Sequence, residues 1–244
     1  MRNIKLTLEY DGTHFSGFQA QPRKRTVQSE LEKAFLKLFR EKIKISSAAG
    51  RTDAGVHARA QVVNFKIASE IPIQNIERAL NTYLPEDLAV RKAEEVSPEF
   101  HARFQAKSKT YEYLVWNSKT RSPLLAGHAY HFPYPLNMPL MKKTAKLIIG
   151  KHDFKSFESK SEGKNSVRTI FSFSIQKKRD KIRFLIAGDG FLYNMIRSLV
   201  GTLLFVGTGK IQLADFRKIL RNKTRQHLGP TLPAHGLTLM KVEY

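Results

Sequence analysis

The sequence contains no cysteine. This absence excludes disulfide bonds, thiolate nucleophiles and zinc sites built from thiolates. The sequence also has no uninterrupted apolar run long enough to cross a membrane, and the segment Met1–Leu8 lacks the apolar stretch of a signal peptide. Together these absences predict a soluble, intracellular and cytoplasmic protein without a membrane anchor.

Acidic residues are scarce relative to basic ones. The 244 residues include 42 Lys and Arg but 21 Asp and Glu, which leaves a net charge of +21. A charge of this size attracts polyanions over long distances. Nucleic acid is therefore the first candidate partner, and an anionic membrane surface is the second. Because 41% of the residues are hydrophobic, we expect a folded chain with one large core or two smaller ones.

Hydrophobic periodicity in the first hundred residues predicts the order strand, helix, strand, strand, helix, strand. Apolar residues alternate in the strands and recur at helical spacing in the helices. The predicted strands are Ile4–Tyr10, Ile43–Ala48, Val62–Ile67 and Leu88–Val96. The first predicted helix runs from Val27 to Leu38 and follows the predicted N-cap Thr26. The second predicted helix is marked by Ile76, Leu80 and Tyr83. This order is that of the ferredoxin-like, or split βαβ, arrangement.

The remaining residues predict a second unit of the same kind. Its predicted strands are Thr110–Trp116, Val167–Ile175, Ile182–Ala187 and Leu237–Tyr244, and its predicted helices are Leu140–Ile149, Phe191–Val206 and the short Leu213–Leu220. We therefore expect an α+β protein with two ferredoxin-like (βαββαβ) halves, residues 1–104 and 105–244. Pseudo-twofold symmetry would relate the halves, and their sheets would join into one extended antiparallel sheet.

One predicted loop combines glycines with charged side chains. It is Gly50–Gln61, GRTDAGVHARAQ, between two predicted strands. Gly50 and Gly55 permit backbone conformations or close approaches that other residues resist. The neighbouring guanidinium of Arg51 favours the ionised form of the Asp53 carboxyl. An ionised carboxylate on such a loop can act as a nucleophile or base, but capping a turn is the commoner use of Asp in a loop. From the residues alone, the turn-capping interpretation is favoured, because no second carboxylate lies beside Asp53 in the sequence.

The sequence lacks the common cofactor motifs. The GTGK sequence at 207–210 follows a predicted helix and does not have the spacing of a phosphate-binding loop. The eight histidines show no HExxH or other paired spacing, which argues against a metal site. A dinucleotide-binding glycine pattern and the aromatic signature of RNA-recognition motifs are also missing. We therefore expect no metal and no organic cofactor.

Two further places in the sequence have both a structural and a functional interpretation. Tyr111 and Tyr113 lie on one face of a predicted strand, either as core aromatics or as a platform for a base between flanking lysines. Arg197 lies in an otherwise apolar helix, where a buried Arg requires a carboxylate partner. Asp53 is a candidate for that partner. The alternative is that Arg197 lies on the one solvated stripe of the helix.

The sequence resembles the tRNA pseudouridine synthase A family nearly from end to end. The motifs that carry the resemblance are YDGTHFSGFQAQ (Tyr10–Gln21), TVQSELE (Thr26–Glu32), GRTDAGVHARAQ (Gly50–Gln61), KTYEYLVW (Lys109–Trp116), HDFKSF (His152–Phe157), RTI (Arg168–Ile170), GDGFLYNMIRSLVGTLL (Gly188–Leu204) and PAHGLTL (Pro233–Leu239). The first and third are highly specific strings, whereas the proline-rich link from Pro123 to Pro139 is not diagnostic.

The resemblance implies two ferredoxin-like halves around one long antiparallel sheet, with a cleft between them. It implies an isomerase that converts uridine to pseudouridine at positions 38 to 40 of the anticodon arm of tRNA, acts as a homodimer and needs no cofactor. Asp53 matches the catalytic aspartate of the family, Tyr111 the tyrosine that packs on the target uracil, and Arg197 the basic residue that pairs with the aspartate. We therefore predict that the Arg197 guanidinium lies within salt-bridge distance of the Asp53 carboxylate. We also expect Arg51 and His57 to bind phosphate or to brace the loop.

Two other functions fit parts of the sequence. A non-catalytic RNA-binding protein of the same fold would suit the charge equally well, although it would have no use for a carboxylate aimed at RNA. A metal-dependent nuclease would need clustered carboxylates, which the sequence does not show.

Overall fold

The structure is a computed structural model that describes residues 1–160, 165–222 and 227–244. It divides into two compact units. The first unit is Met1–Lys107 together with the C-terminal segment Thr238–Tyr244, and the second unit is Ser108–Leu237. The division into domains 1–104 and 105–244 stays a prediction. Within the described ranges, no helix combines the length and the apolar character that a membrane crossing requires.

The first unit begins with a sheet and two helices. Its elements are, in chain order, β1 (Arg2–Tyr10), α1 (Val27–Phe39), β2 (Ser47–Ala48), β3 (His57–Ile67), α2 (Ile73–Asn81) and β4 (Leu88–Val96). The strands lie side by side in the order β4-β1-β3-β2, and each neighbouring pair is antiparallel. The predicted ferredoxin-like succession of strands and helices is therefore confirmed in this unit.

Local capping and one apolar face explain α1. The Thr26 hydroxyl accepts a hydrogen bond from the Ser29 backbone N–H at 3.2 Å, and the Ser29 hydroxyl accepts one from the Thr26 N–H at 3.1 Å. This reciprocal capping box satisfies two donors at the helix start and confirms the predicted N-cap. The buried face of the helix includes Phe35, whose ring centroid lies 4.3 Å from that of Phe65 on β3. The helix is thereby packed against the sheet.

Some predicted boundaries in the first unit were wrong. β2 begins at Ser47, not Ile43. β3 begins at His57, so the segment predicted as a loop up to Gln61 is partly strand. It is a strand because its residues pair with β1, with Ala58 opposite Tyr10 and Gln61 opposite Leu8. The loop that carries Asp53 is consequently shorter and has an ordered strand directly after it.

The second unit contains further strands, mostly antiparallel, together with helices. Its elements are β5 (Ser108–Trp116), β6 (Tyr130–His131), α3 (Met138–Ala145), β7 (Gly150–Asp153), β8 (Val167–Lys178), β9 (Lys181–Gly188), α4 (Met195–Gly207) and α5 (Leu213–Asn222). The strands β5, β9, β8 and β7 are antiparallel neighbours in that order, and β6 pairs with β5 in parallel. The short strands β6 and β7 were not predicted.

The helix α4 begins four residues later than its predicted start at Phe191. The segment before it is tied to β8, because Asp189 exchanges two hydrogen bonds with Thr169. The Asp189 N–H donates to the Thr169 carbonyl at 3.0 Å, and the Asp189 carboxylate accepts from the Thr169 N–H at 3.0 Å. Asn194 then adopts a left-handed φ of +60° directly before the helix.

The C-terminal strand β10 (Leu237–Glu243) returns to the first unit. Its residues Thr238 and Leu239 pair in parallel with His57 and Ala58 of β3. Near its end, the Glu243 carbonyl accepts a hydrogen bond from the Lys107 N–H at 2.8 Å. This pairing is parallel, whereas the pairs β1–β3, β1–β4 and β2–β3 of the first unit are antiparallel. It places β10 beside the start of β3, directly after the Asp53 loop.

Candidate active site

Asp53 lies on the loop between β2 and β3, and the backbone on both sides of it is hydrogen-bonded. The Thr52 carbonyl accepts a hydrogen bond from the Phe18 N–H at 3.0 Å, and the Gly55 N–H donates to the Phe15 carbonyl at 3.3 Å. The Asp53 carbonyl accepts from the Val56 N–H at 3.1 Å, which closes a tight turn. The Asp53 residue is partly buried. These bonds hold the loop against the segment 15–18 and so fix the backbone that carries the carboxylate.

A buried pair of hydroxyls anchors the residue directly before Asp53. The Tyr10 and Thr52 hydroxyl oxygens are 2.7 Å apart, and both residues are buried. Burial raises the pKa of Tyr10 to about 12, and the hydrogen bonds with Thr52 and Gln61 only partly oppose this shift. The Tyr10 phenol is therefore neutral at ordinary pH and can either donate to or accept from the Thr52 hydroxyl.

Glycine permits the close contact between the two loops. Gly17 has a φ of +92°, and a Cβ built on it would lie 2.9 Å from the Thr52 carbonyl oxygen and 3.4 Å from the Asp53 carbonyl carbon. A side chain at this position would thus be strained by its own backbone and would also collide with the Asp53 loop. The close packing around Asp53 depends on Gly17 having no side chain.

A salt bridge holds the segment that supports the Asp53 loop. The Arg25 guanidinium makes two hydrogen bonds to the Asp87 carboxylate, each 2.7 Å long, and its central carbon lies 4.3 Å from the centroid of the Phe15 ring. The hydrogen bonds with Asp87 raise the pKa of Arg25. Of the basic run Arg23–Arg25, this arginine is therefore a structural group. Arg23 and its neighbour Lys24 are exposed.

The two other predicted site residues of this loop differ in their surroundings. Arg51 is exposed. His57 is 4% exposed, and its Nδ1 accepts a hydrogen bond from the Gly12 N–H at 3.0 Å and lies 3.1 Å from an Asp11 carboxylate oxygen. These contacts tie the start of β3 to the turn that follows β1. For His57 they favour bracing over phosphate binding, and the binding of substrate by either residue stays a prediction.

In the second unit, Tyr111 lies on β5 with its ring held in a defined orientation. Its ring meets that of Phe191 edge to face, with centroids 5.3 Å apart and planes at 84°. Tyr111 and Tyr113 are both buried, which confirms that they share one face of the strand. The Tyr113 hydroxyl donates to the Pro233 carbonyl at 2.7 Å, and burial raises its pKa. Tyr113 is accordingly a core residue, whereas Tyr111 keeps the substrate-binding role as a prediction.

Arg197 lies in the first turn of α4 and is partly buried. Its Nε donates to the Leu232 carbonyl at 2.6 Å, and its Nη1 donates to the Asn194 side-chain oxygen at 2.6 Å. Two acceptors from the same unit thus orient the guanidinium. Arg197 therefore does not lie on a simple solvated stripe of α4. Its pairing with Asp53 stays a prediction.

The predicted site residues are therefore distributed over both units. Arg51, Asp53 and His57 belong to one loop and strand start of the first unit, and Tyr111 and Arg197 belong to the second. Sequence reasoning missed the supporting residues, which are Tyr10, Thr52, Gly17, Asn194 and Leu232. A sequence signal existed for Gly17, because a glycine in a loop permits a positive φ and a close backbone contact. The Tyr10–Thr52 bond joins residues far apart in the chain and has no local signal.

Comparisons with known proteins agree on one family. A family model described as tRNA pseudouridine synthase matches residues 7–105 and 144–244. The chain is 48% identical over 245 aligned positions to a tRNA pseudouridine synthase A of Clostridium botulinum (strain Eklund 17B / Type B), covering 100% of both chains. It is 45% identical over 245 positions to that of Acetivibrio thermocellus, again covering 100% of both. Among solved structures, the archaeal box H/ACA sRNP Nop10-Cbf5 complex matches 82% of this chain and 44% of that chain, with 13% identity and a TM-score of 0.39.

Proposed function

Because the chain belongs to the tRNA pseudouridine synthase family, we propose that it isomerises uridine to pseudouridine at positions 38 to 40 of the anticodon arm of tRNA, with Asp53 as the catalytic carboxylate. The observation that carries this proposal is the anchored loop around Asp53. A carboxylate can assist in the transition state only if its position is set in advance. The hydrogen bonds of Thr52 and Gly55 to the segment 15–18 supply that constraint.

The reaction requires three changes at one nucleotide. The bond between uracil N1 and sugar C1′ breaks, the uracil turns while it is bound, and a new bond forms between C5 and C1′. The proton on C5 is lost and N1 gains one, so the product is an isomer of the substrate. No electron acceptor and no phosphoryl donor enter this balance, and we therefore propose that the enzyme needs no cofactor.

We propose that Asp53 acts in one of three ways. It attacks C1′, as a carboxylate does at the anomeric carbon in retaining glycosidases; it attacks the uracil ring; or it removes the proton at C2′. All three require an ionised carboxylate close to the nucleotide. The exposed Arg51 next to Asp53 in the chain favours that ionised form.

We propose that the Arg197 guanidinium pairs with the Asp53 carboxylate. Two of its donors are used by Leu232 and Asn194, so its plane is set before the substrate arrives. A guanidinium presents its N–H donors in a planar fork, and this geometry matches the two oxygens of a carboxylate. Such a pair keeps Asp53 charged and orients it towards the nucleotide.

The uridine must leave its stack in the RNA, at a cost of about a few kcal/mol. We propose that Tyr111 packs on the extruded uracil, since stacking of a base on an aromatic ring is worth roughly 1–3 kcal/mol. The edge-to-face contact with Phe191 supports this role, because it keeps the Tyr111 ring from turning. We propose that His57 braces the loop and that Arg51 binds a phosphate of the tRNA.

We further propose a homodimer that binds tRNA in the cytoplasm. The net charge of +21 favours a polyanionic substrate. Each phosphate neutralised by Lys or Arg releases counterions, and binding should therefore weaken steeply as salt is raised.

The direct test is incubation of the purified protein with an unmodified tRNA transcript, followed by carbodiimide mapping of pseudouridine. The proposal predicts new pseudouridine within positions 38 to 40. Tight tRNA binding without pseudouridine would instead identify a non-catalytic RNA-binding protein. Pseudouridine confined to another arm of the tRNA would refute the anticodon-arm assignment.

A further inference from the structure

A short turn in the first unit holds an aromatic pair outside the core. The turn comprises residues 101–105 and closes with a hydrogen bond from the Gln105 N–H to the His101 carbonyl at 3.1 Å. The rings of His101 and Phe104 are stacked, with centroids 4.3 Å apart and planes at 26°. Phe104 is 76% exposed, although it belongs to the residue types most often buried in proteins. We call residues 101–105 the aromatic turn.

The aromatic turn is firmly attached to the sheet. Ala102, at its centre, is fully buried, and its N–H donates to the Asn64 side-chain oxygen at 3.0 Å. The Ala102 carbonyl accepts from the Tyr244 hydroxyl at 2.8 Å. Asn64 is itself buried and donates to the Asn3 side-chain oxygen at 3.0 Å and to the Phe100 carbonyl at 3.2 Å. Side chains from β1, β3 and the C-terminus thus hold the backbone of the turn.

The histidine ring is fixed as well. His101 Nδ1 lies 3.3 Å from both the Arg103 and the Phe104 backbone nitrogens and accepts their N–H groups. The imidazole therefore caps the turn in the way that Asn or Ser caps a helix start, and it forms a fixed support for one face of Phe104. An exposed ring on a rigid support loses little conformational freedom when a second ring stacks on it.

The charged residues nearest in sequence to Phe104 are basic. The Arg103 guanidinium carbon lies 5.7 Å from the centroid of the Phe104 ring. From residue 100 to residue 107 the charged residues are Arg103 and Lys107, and Glu99 directly precedes this stretch. Both basic residues are exposed, and they attract the phosphates of a nucleic acid.

We propose that the aromatic turn is a tRNA-binding site at which an unpaired base stacks on Phe104 while Arg103 contacts an adjacent phosphate. Stacking on an aromatic ring tolerates any base, because each base has a π face. The site therefore adds affinity and position without reading sequence. This inference rests on tRNA being the substrate, and it assigns residues outside the Asp53 loop to holding that substrate.

The test measures binding alone, so that a failure of catalysis and a failure of this site are separate results. The affinity of the full chain for an unmodified tRNA transcript is measured by fluorescence anisotropy over a range of salt concentrations. Phe104→Ala should weaken binding by roughly 5- to 150-fold, the loss expected for one stacked base, and should leave the salt dependence unchanged. Arg103→Gln should reduce the magnitude of the slope of log affinity against log salt by about 1, the change expected when one phosphate contact is lost.

Two further variants control for folding and for general surface effects. Phe104→Trp keeps an aromatic ring and should retain the wild-type affinity, and the added indole fluorescence should be quenched by tRNA beyond the quenching of the native Trp116. Tyr134→Ala removes another ring that is 60% exposed and should bind tRNA like the wild type.

An unchanged tRNA affinity in Phe104→Ala would overturn the proposal. A loss of affinity accompanied by a change in the sedimentation of the protein alone would also overturn it, because the ring would then contact a second protein copy. The proposal would also be overturned if Phe104→Ala lost no more tRNA affinity than Tyr134→Ala.

Discussion

The Tyr10 hydroxyl lies 2.7 Å from the Thr52 hydroxyl, inside the core of the first unit and one residue from Asp53. Thr52→Val keeps the shape of this side chain but removes one of the two hydrogen-bond partners of the Tyr10 hydroxyl, the other being Gln61. The loss of one such hydrogen bond costs about 0.5–1.5 kcal/mol. We expect urea unfolding to show a loss of this size, together with slower pseudouridine formation, because the backbone before Asp53 loses its anchor.

Thr52→Ser is the matched control, since it retains the hydroxyl. It should recover most of the stability and most of the turnover of the wild type. If Thr52→Val were as stable and as active as Thr52→Ser, the hydroxyl pair would have no part in holding the Asp53 loop.

The Tyr10 hydroxyl also makes the free energy of unfolding depend on pH in the alkaline range. The pKa of Tyr10 is raised from 10.0 to about 12 in the folded protein, so the unfolded chain releases this proton first. The free energy of unfolding should therefore be constant with respect to this group below pH 10 and should fall as the pH rises from 10 to about 12. Burial also raises the pKa of Tyr113 and Tyr244, which act in the same direction. Denaturant unfolding at several pH values should give a shallower fall in Tyr10→Phe, and an equally steep fall would contradict the assignment.

Gly17 and Gly209 provide a matched pair of substitutions. Both have a positive φ, +92° and +79°, but a Cβ at Gly209 would meet no atom within 4 Å, whereas one at Gly17 would lie 2.9 Å from the Thr52 carbonyl oxygen. Both alanine variants should lose about 1–3 kcal/mol through backbone strain. Only Gly17→Ala should also lose turnover, because it displaces the Asp53 loop. Equal activity of the two variants, compared in a single-turnover assay, would show that the close contact is not needed.

Arg197 is held by two acceptors, and a lysine cannot replace that geometry. Arg197→Lys keeps the positive charge but has no planar fork to bond Leu232 and Asn194 together. We expect kcat to fall by about tenfold or more, which corresponds to at least about 1.4 kcal/mol of transition-state stabilisation, with a smaller change in KM. Asn194→Gly keeps the left-handed backbone before α4 and removes one acceptor, and it should give an intermediate loss. A wild-type kcat in Arg197→Lys would exclude an oriented guanidinium from the mechanism.

Short-range patterns predicted the regular elements well. The helix α1 was predicted with its N-cap because both the capping box and the apolar face are encoded within consecutive residues. β4 was predicted at Leu88–Val96, where the structure has it. β7 was missed because a strand of four residues exists only through its pairing with β8, which local periodicity does not encode. The start of α4 was misplaced because hydrogen bonds to Thr169 override the helical pattern after Phe191.

The candidate site was predicted to a smaller extent. Motif resemblance singled out Asp53, Tyr111 and Arg197, and the comparisons confirmed the family but not the roles of these residues. What supports the site could not be predicted from the sequence. The contacts of Thr52 with Tyr10 and of Arg197 with Leu232 join residues that are 42 and 35 positions apart. Contacts of this kind depend on the folded chain and leave no periodic signal.

The central claim is that the Asp53 carboxylate takes part in the reaction, and Asp53→Asn tests it most directly. This change removes the charge with almost no change in shape, and Asp215→Asn, at an exposed carboxylate paired with Lys218, serves as the control. The measurement is tritium release from tRNA labelled at C5 of uridine, with tRNA affinity and unfolding measured on the same samples. We predict that Asp53→Asn folds and binds tRNA like the wild type but releases no tritium, while Asp215→Asn releases it at the wild-type rate. Tritium release by Asp53→Asn at a rate close to that of the wild type would contradict the account.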